Sequence, residues 1–222
     1  MDAFLKALPF FQTVTDADSD VGRSFVRRRF DRGAVVFNEG DPPRAAFLLR
    51  AGLVKIAKHS PSHRTLAVEI VTPGEMFGAV AVLDRRPFPA SAVALDACEL
   101  FELPADVFDR LLSKNAGFAR AVHAAVGAHV RNAQEMRSLA GEPVERRIAH
   151  VLLRLLPGER STAPLRREDV AELAGCIPET AIRVLSDFAR RGWIDKGRRR
   201  IDLRNRRALQ QVAQTSAAAN LS

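Results

Sequence analysis

Glu179 and Arg183 stand four residues apart in the run Pro178-Glu179-Thr180-Ala181-Ile182-Arg183, a spacing that puts both on one face of a helix. An arginine can donate two hydrogen bonds to guanine O6 and N7, and a carboxylate can accept one from cytosine N4. Thr180, between them, can reach a base edge or a phosphate. Nearby in the chain are cations with no such selective geometry: Arg166 and Arg167, then Lys196, Arg198 and Arg199. These suit phosphate contacts, which fix register without reading sequence. The plainer account of Glu179 and Arg183 is a surface ion pair worth about 0.2–0.5 kcal/mol.

Base reading requires a scaffold that presents one helix to a groove, and the flanking residues supply one. Residues 166–174 read as a short helix with Val170, Leu173 and Ala174 buried, and Gly175 gives a turn residue without a Cβ. A second helix starts at Pro178, a residue favoured at the first helical position. It continues through Ala181, Val184, Leu185 and Phe188 and stops at Gly192. Trp193-Ile194 and Ile201-Asp202-Leu203 flank the basic stretch 196–200 as a hairpin. Helix, four-residue turn, helix and β-wing make a winged helix-turn-helix, whose second helix enters the major groove by its N-terminal half.

Charge agrees with a polyanionic partner. The 222 residues carry a net charge of +8, but residues 1–140 hold 18 basic and 16 acidic side chains against 16 and 10 in residues 141–222. The net is thus +2 over the longer part and +6 over the shorter, a concentrated field of the kind nucleic acid attracts. With 47% hydrophobic residues the chain can bury real cores. Two cysteines, Cys98 and Cys176, make neither a disulfide framework nor a four-thiolate metal site.

From Phe30 to Leu103 short apolar runs alternate with turn residues. The runs are 34–37, 46–49, 53–57, 66–71, 92–95 and 99–103, a texture that predicts a β-sandwich or barrel. The first thirty residues mix short helical patterns with a basic cluster, Arg27-Arg28-Arg29. Past Pro104 the period becomes helical, and residues 117–138 predict one long helix of about 33 Å. Its stripe of Val122, Val126, Val130, Ala133 and Met136 can pack on a second copy, coiled-coil fashion, or on its own β domain. Gly141-Glu142-Pro143 breaks that helix. The expected organisation is a β domain over 1–116, a central dimerisation helix and hinge over 117–141, and a DNA-binding domain over 142–222.

Here the sequence resembles a known family. Phe37-Asn38-Glu39-Gly40-Asp41, Gly52-Leu53-Val54 and Pro73-Gly74-Glu75-Met76-Phe77-Gly78 match the cyclic-nucleotide-binding-type β-roll of the Crp/Fnr family of bacterial transcription regulators. Residues 175–185 match its recognition helix. The resemblance spans nearly the whole chain and implies an α+β fold: a double-stranded, jelly-roll-like β-roll, a long dimerisation helix and a winged helix-turn-helix. It also implies a homodimer on double-stranded DNA with an inverted-repeat operator, a contact with RNA polymerase, and Glu179 and Arg183 as the base-reading pair. Many Fnr-like members have Ser one residue before that Arg; Ile182 stands there in this chain, so its target should depart from the commonest half-site.

The effector site departs from the resemblance. Cyclic-AMP-binding relatives carry Gly-Glu in the phosphate cassette, with an Arg-Ser pair further on that holds the phosphate. This chain has Gly78-Ala79 and Pro89-Ala90 at those places, and Asn132 with Ala133 where the central helix would meet the base. A buried cyclic phosphate without its charge-assisted partner is expensive, so the expectation is a degenerate pocket that does not take cyclic AMP. Arg85 and Arg86 can rescue phosphate binding only by folding inwards. An Fnr-type iron–sulfur cluster needs four cysteines, which argues against one. Haem stays open, since His59, His63, His123, His129 and His150 each offer an imidazole and no spacing singles one out. No cofactor is otherwise expected.

Two other function classes are weighed against DNA binding. A ligand-binding module acting on a protein partner would need no basic wing. Catalysis would need a motif the sequence lacks: no Gly-rich phosphate loop, nucleophile elbow or His-Glu-x-x-His helix is present. No run of 18 apolar residues and no cleavage signal after Phe4–Phe11 point to a membrane or to export, so a cytoplasmic location is expected.

Overall fold

The computed structural model describes residues 2–14, 23–59, 65–158, 161–197 and 199–214, with backbone alone at His59, 65–68, Met136 and Arg137. Arg198, His63 and the side chains of His59 and Met136 thus lie outside the described residues. Contacts divide the chain into two compact units, 1–58 with 69–133 and 59–68 with 134–222.

The first unit is a β-roll of two four-stranded sheets, ordered β1-β8-β3-β6 and β2-β7-β4-β5. The strands are β1 (Val26–Phe30), β2 (Val35–Phe37), β3 (Ala45–Ala51), β4 (Val54–His59), β5 (Thr65–Val71), β6 (Met76–Phe77), β7 (Ser91–Ala94) and β8 (Cys98–Pro104). Strand geometry sends alternate side chains to opposite faces, and the sheet containing β3 and β8 is apolar on both. Ala45, Phe47, Leu49, Cys98 and Leu100 enter the core between the sheets. Ala46, Leu48, Phe101 and Leu103 meet a second core under the helices. These helices are α1 (Ala3–Ala7), α2 (Ala79–Asp84), α3 (Ala105–Lys114) and α4 (Ala116–Leu139).

Six strands coincide with the apolar runs, whereas β1 was not foreseen. Arg27-Arg28-Arg29 is part of this edge strand, four of whose five residues are exposed. No burial alternation marks it, because its cations are held by carboxylates across the strand pair: Arg28 Nε lies 2.9 Å from Glu102 and Arg27 pairs with Glu99. Charge on an edge strand also blocks sheet-to-sheet association.

Helix α4 has 24 residues, one more at each end than the spacing predicts. The Asn115 side chain starts it by accepting from the Phe118 N–H at 2.9 Å, as an N-cap does. Val122 is fully buried in the core of its own β-roll, Val126 packs against that core, and Val130 is 52% exposed.

The second unit contains α5 (Val144–Leu155), β9 (Thr162–Ala163), α6 (Arg167–Leu173), α7 (Pro178–Arg190), β10 (Ile194–Lys196), β11 (Ile201–Leu203) and α8 (Arg206–Gln214). Its three strands are ordered β10-β11-β9. Ile148, Leu152 and Leu155 of α5 pack with Val170, Leu185, Phe188 and Leu209 as buried residues of this unit. Helix α8 was not foreseen from the sequence, although Asn205 caps it through the Ala208 N–H at 3.0 Å.

Candidate nucleic-acid interface and ligand cavity

Helices α6 and α7 form the expected helix-turn-helix. Asp169 accepts from the Arg166 N–H at 2.6 Å and so closes the start of α6. The turn depends on Gly175, whose φ is +61°, a conformation that costs glycine little. Its carbonyl accepts from Arg147 Nη1 at 3.0 Å; sequence reasoning missed this contact, which joins residues 28 apart. Helix α7 then buries Ala181, Val184, Leu185 and Phe188. That burial turns Glu179 and Arg183 outwards, both exposed, with Thr180 half-exposed beside them.

The ion-pair account of Glu179 and Arg183 does not describe this helix. Among the described residues neither side chain has a hydrogen-bond or ion-pair partner, while Arg190 at the end of the same helix and Arg191 just after it both pair with Asp187. The basic positions around α7 also divide. Arg167 and Arg199 are exposed, with no ion pair among the described residues. Lys196 Nζ lies 2.5 Å from Ser186 Oγ, which ties the wing to α7. Arg200 and Arg204 are engaged by Asp202 and Asp195 at 2.9 and 2.6 Å. Arg166 is half-buried, with its Nε enclosed.

In the β-roll a cavity of about 160 Å³ opens beside α4. Gly78, Ala79, Pro89 and Ala90 line it, together with Val126. Gly78 has φ +73°, and an added Cβ would come within 3.1 Å of the Phe88 ring. No Arg or Lys lines the cavity among the described residues. Arg85 is exposed and engaged by Asp109 at 3.3 Å, and Arg86 is exposed. The polar groups of the lining were not singled out in advance: Glu69 on β5 and His129 on α4. His129 Nδ1 lies 2.6 Å from Glu69 Oε1 and its Nε2 lies 2.8 Å from the Met76 carbonyl oxygen. Asn132 does not line the cavity but donates to the same Glu69 oxygen at 3.3 Å. The Glu69 carboxylate raises the His129 pKa above the ordinary 6.5, against the opposing effect of burial. With both nitrogens engaged, His129 has no lone pair to offer an iron. Burial pushes up the Cys98 and Cys176 thiols, which keeps both protonated.

A cyclic nucleotide-binding domain model matches residues 27–115, and a Crp-like helix-turn-helix domain model matches residues 146–212. The chain is 29% identical over 212 residues to the cyclic AMP receptor protein of Thermus thermophilus, covering 94% of this chain and 98% of that protein. The chain belongs to the Crp/Fnr family. Like its family it is a DNA-binding transcription regulator. Another Crp/Fnr relative, the transcriptional activator protein anr of Pseudomonas aeruginosa, is 25% identical over 196 residues, 84% of this chain and 80% of that one. The structure of FixK2 from Bradyrhizobium japonicum shares the fold, with a TM-score of 0.77 at 22% identity over 87% of this chain and 99% of that chain.

Proposed function

We propose that this Crp/Fnr protein acts as a cytoplasmic homodimer, reading an inverted-repeat operator through Glu179, Thr180 and Arg183 without cyclic AMP. Arg166, Arg167, Lys196, Arg198 and Arg199 supply phosphate contacts in this reading. The observation that carries it is the pair of exposed side chains, Glu179 and Arg183, on the first turns of α7, neither with a partner among the described residues. A donor and an acceptor left free by their own fold are available to base edges. The cavity supports independence from cyclic AMP, because among the described residues no guanidinium or ammonium lines it to meet a phosphate. The exposed Val130 on the long helix α4 marks the face assigned to the second copy. Contact with RNA polymerase follows from the family, whose members regulate transcription and are not enzymes.

Selection from random duplex DNA with the purified, ligand-free protein at physiological salt tests this reading. Enrichment of an inverted repeat, with half-site centres about 10–10.5 bp apart, is the expected result. Salt-sensitive binding with no enriched sequence would overturn operator reading by the ligand-free state. Absence of binding even at low salt would favour action on a protein partner.

A further inference from the structure

A lysine on a surface hairpin has a long flexible stem, and ordering that stem on binding costs entropy. Lys196, at the outer end of β10, is exposed, yet its ammonium is already held. Its Nζ lies 2.5 Å from the Oγ of Ser186, ten residues back on α7. The direction of that hydrogen bond follows from proton count. A hydroxyl has one proton to give, and Ser186 spends it on the Ile182 carbonyl at 2.6 Å. Towards Lys196 it therefore only accepts. Because the acceptor is neutral, the charge of Lys196 stays uncompensated. Asp187, next to Ser186, is committed to Arg190 and Arg191, and among the described residues no carboxylate pairs with Lys196. Arg200, by contrast, has its charge answered by Asp202 at 2.9 Å.

Ser186 follows Glu179 by seven residues and Arg183 by three, so the three lie along one stripe of α7. The root of the hairpin is fastened to the same helix by the Trp193 and Phe188 rings, 5.2 Å between centroids. Strand pairing sets Lys196 opposite Ile201. A ring contact at the root and a hydrogen bond further out thus fix the wing to α7 at two points. We propose that Ser186 is a positioning residue: it holds the Lys196 ammonium beside the outward stripe of α7, so that the wing meets a phosphate at a set distance from Arg183. Two of the three ammonium protons are left to donate to that phosphate. The inference deepens the reading above and rests on its assignment of Lys196 to phosphate.

Binding of the full chain to a short duplex of arbitrary sequence tests it, followed by fluorescence anisotropy over a series of sodium chloride concentrations, since phosphate contacts form on any sequence. Lys196→Ala should weaken binding and lower the salt slope by about one per half-site. Ser186→Ala, in which alanine favours the helix, should weaken binding by a factor of about three to ten, the entropy of one lysine ordered only on binding. Its salt slope should not change, because the charge remains. Ser186→Thr keeps the hydroxyl and should bind as the unmutated protein does. The double variant should bind no more weakly than Lys196→Ala alone. A Ser186 that matters only for the fold predicts instead an equal further loss in the Lys196→Ala background. That result, full affinity in Ser186→Ala, a slope that falls with it, or no recovery in Ser186→Thr would each overturn the proposal. Loss in Lys196→Ala without loss in Ser186→Ala defeats the positioning role alone. Unchanged affinity and slope in Lys196→Ala defeats the phosphate contact and this inference with it.

Discussion

At Arg183 the two accounts differ in what loss of the guanidinium does. A base-reading Arg183 predicts that Arg183→Ala costs about 1–3 kcal/mol of operator affinity and relaxes preference at one base pair per half-site. Binding assays against a panel of substituted operators check this; equal loss on every sequence would mean that Arg183 reads no base. Arg199 and Arg200 are neighbours with different surroundings, since Asp202 holds Arg200 and no described carboxylate holds Arg199. Arg199→Ala should weaken all duplexes alike and lower the salt slope by about one, with a smaller change for Arg200→Ala. His129 titrates above its ordinary 6.5 because the folded state gives the imidazolium Glu69, the Met76 carbonyl and the more distant Glu75. A raised folded pKa means that the clamp's stabilisation is complete below about pH 6.5 and is lost as pH rises through the folded value. The denaturation midpoint of His129→Gln should therefore approach that of the unmutated protein as pH rises, and a constant gap would exclude the charged clamp.

Among elements, the start of α4 shows one side chain serving two parts of the chain. Asn115 accepts from the Phe118 N–H and from the Thr13 hydroxyl at 2.8 Å, and donates to the Thr13 carbonyl at 3.0 Å. It caps the helix and fastens the segment whose Phe10 and Phe11 enter the core. Asn115→Ala should cost about 1–3 kcal/mol, from the cap and the lost hydrogen bonds. Asn115→Asp keeps the acceptor and loses only the donor, so its cost in thermal denaturation should be smaller. In the second unit, the order of α6, turn and α7 was legible because its signals are local: Gly175 for the turn, Pro178 for the helix start and a four-residue apolar spacing after it. Strand β1 was not legible, since cross-strand carboxylates rather than apolar burial hold its arginines.

For the whole molecule, the division of the α4 stripe matters most. Val122 is consumed by its own core, whereas Val130 is 52% exposed, so the proposed dimer face lies towards the C-terminal part of the helix. Val130→Glu should shift the protein to monomer in sedimentation velocity and weaken binding to a two-half-site operator far more than to a single half-site. An unchanged dimer would place the interface elsewhere.

The sequence alone determined six of the eight strands of the β-roll, the long helix and the helix-turn-helix with its outward Glu179 and Arg183. Each of these is written in spacings of two to four residues, which backbone geometry translates directly. It also placed Gly78-Ala79 and Pro89-Ala90 where the resemblance would put Gly-Glu and Arg-Ser. Only the tertiary structure decided that Glu69 meets His129 across 60 residues of sequence, that Val122 is buried while Val130 is not, and that Asp202 engages Arg200 rather than Arg199. Those outcomes depend on how sheets and helices pack, and no local period carries that information.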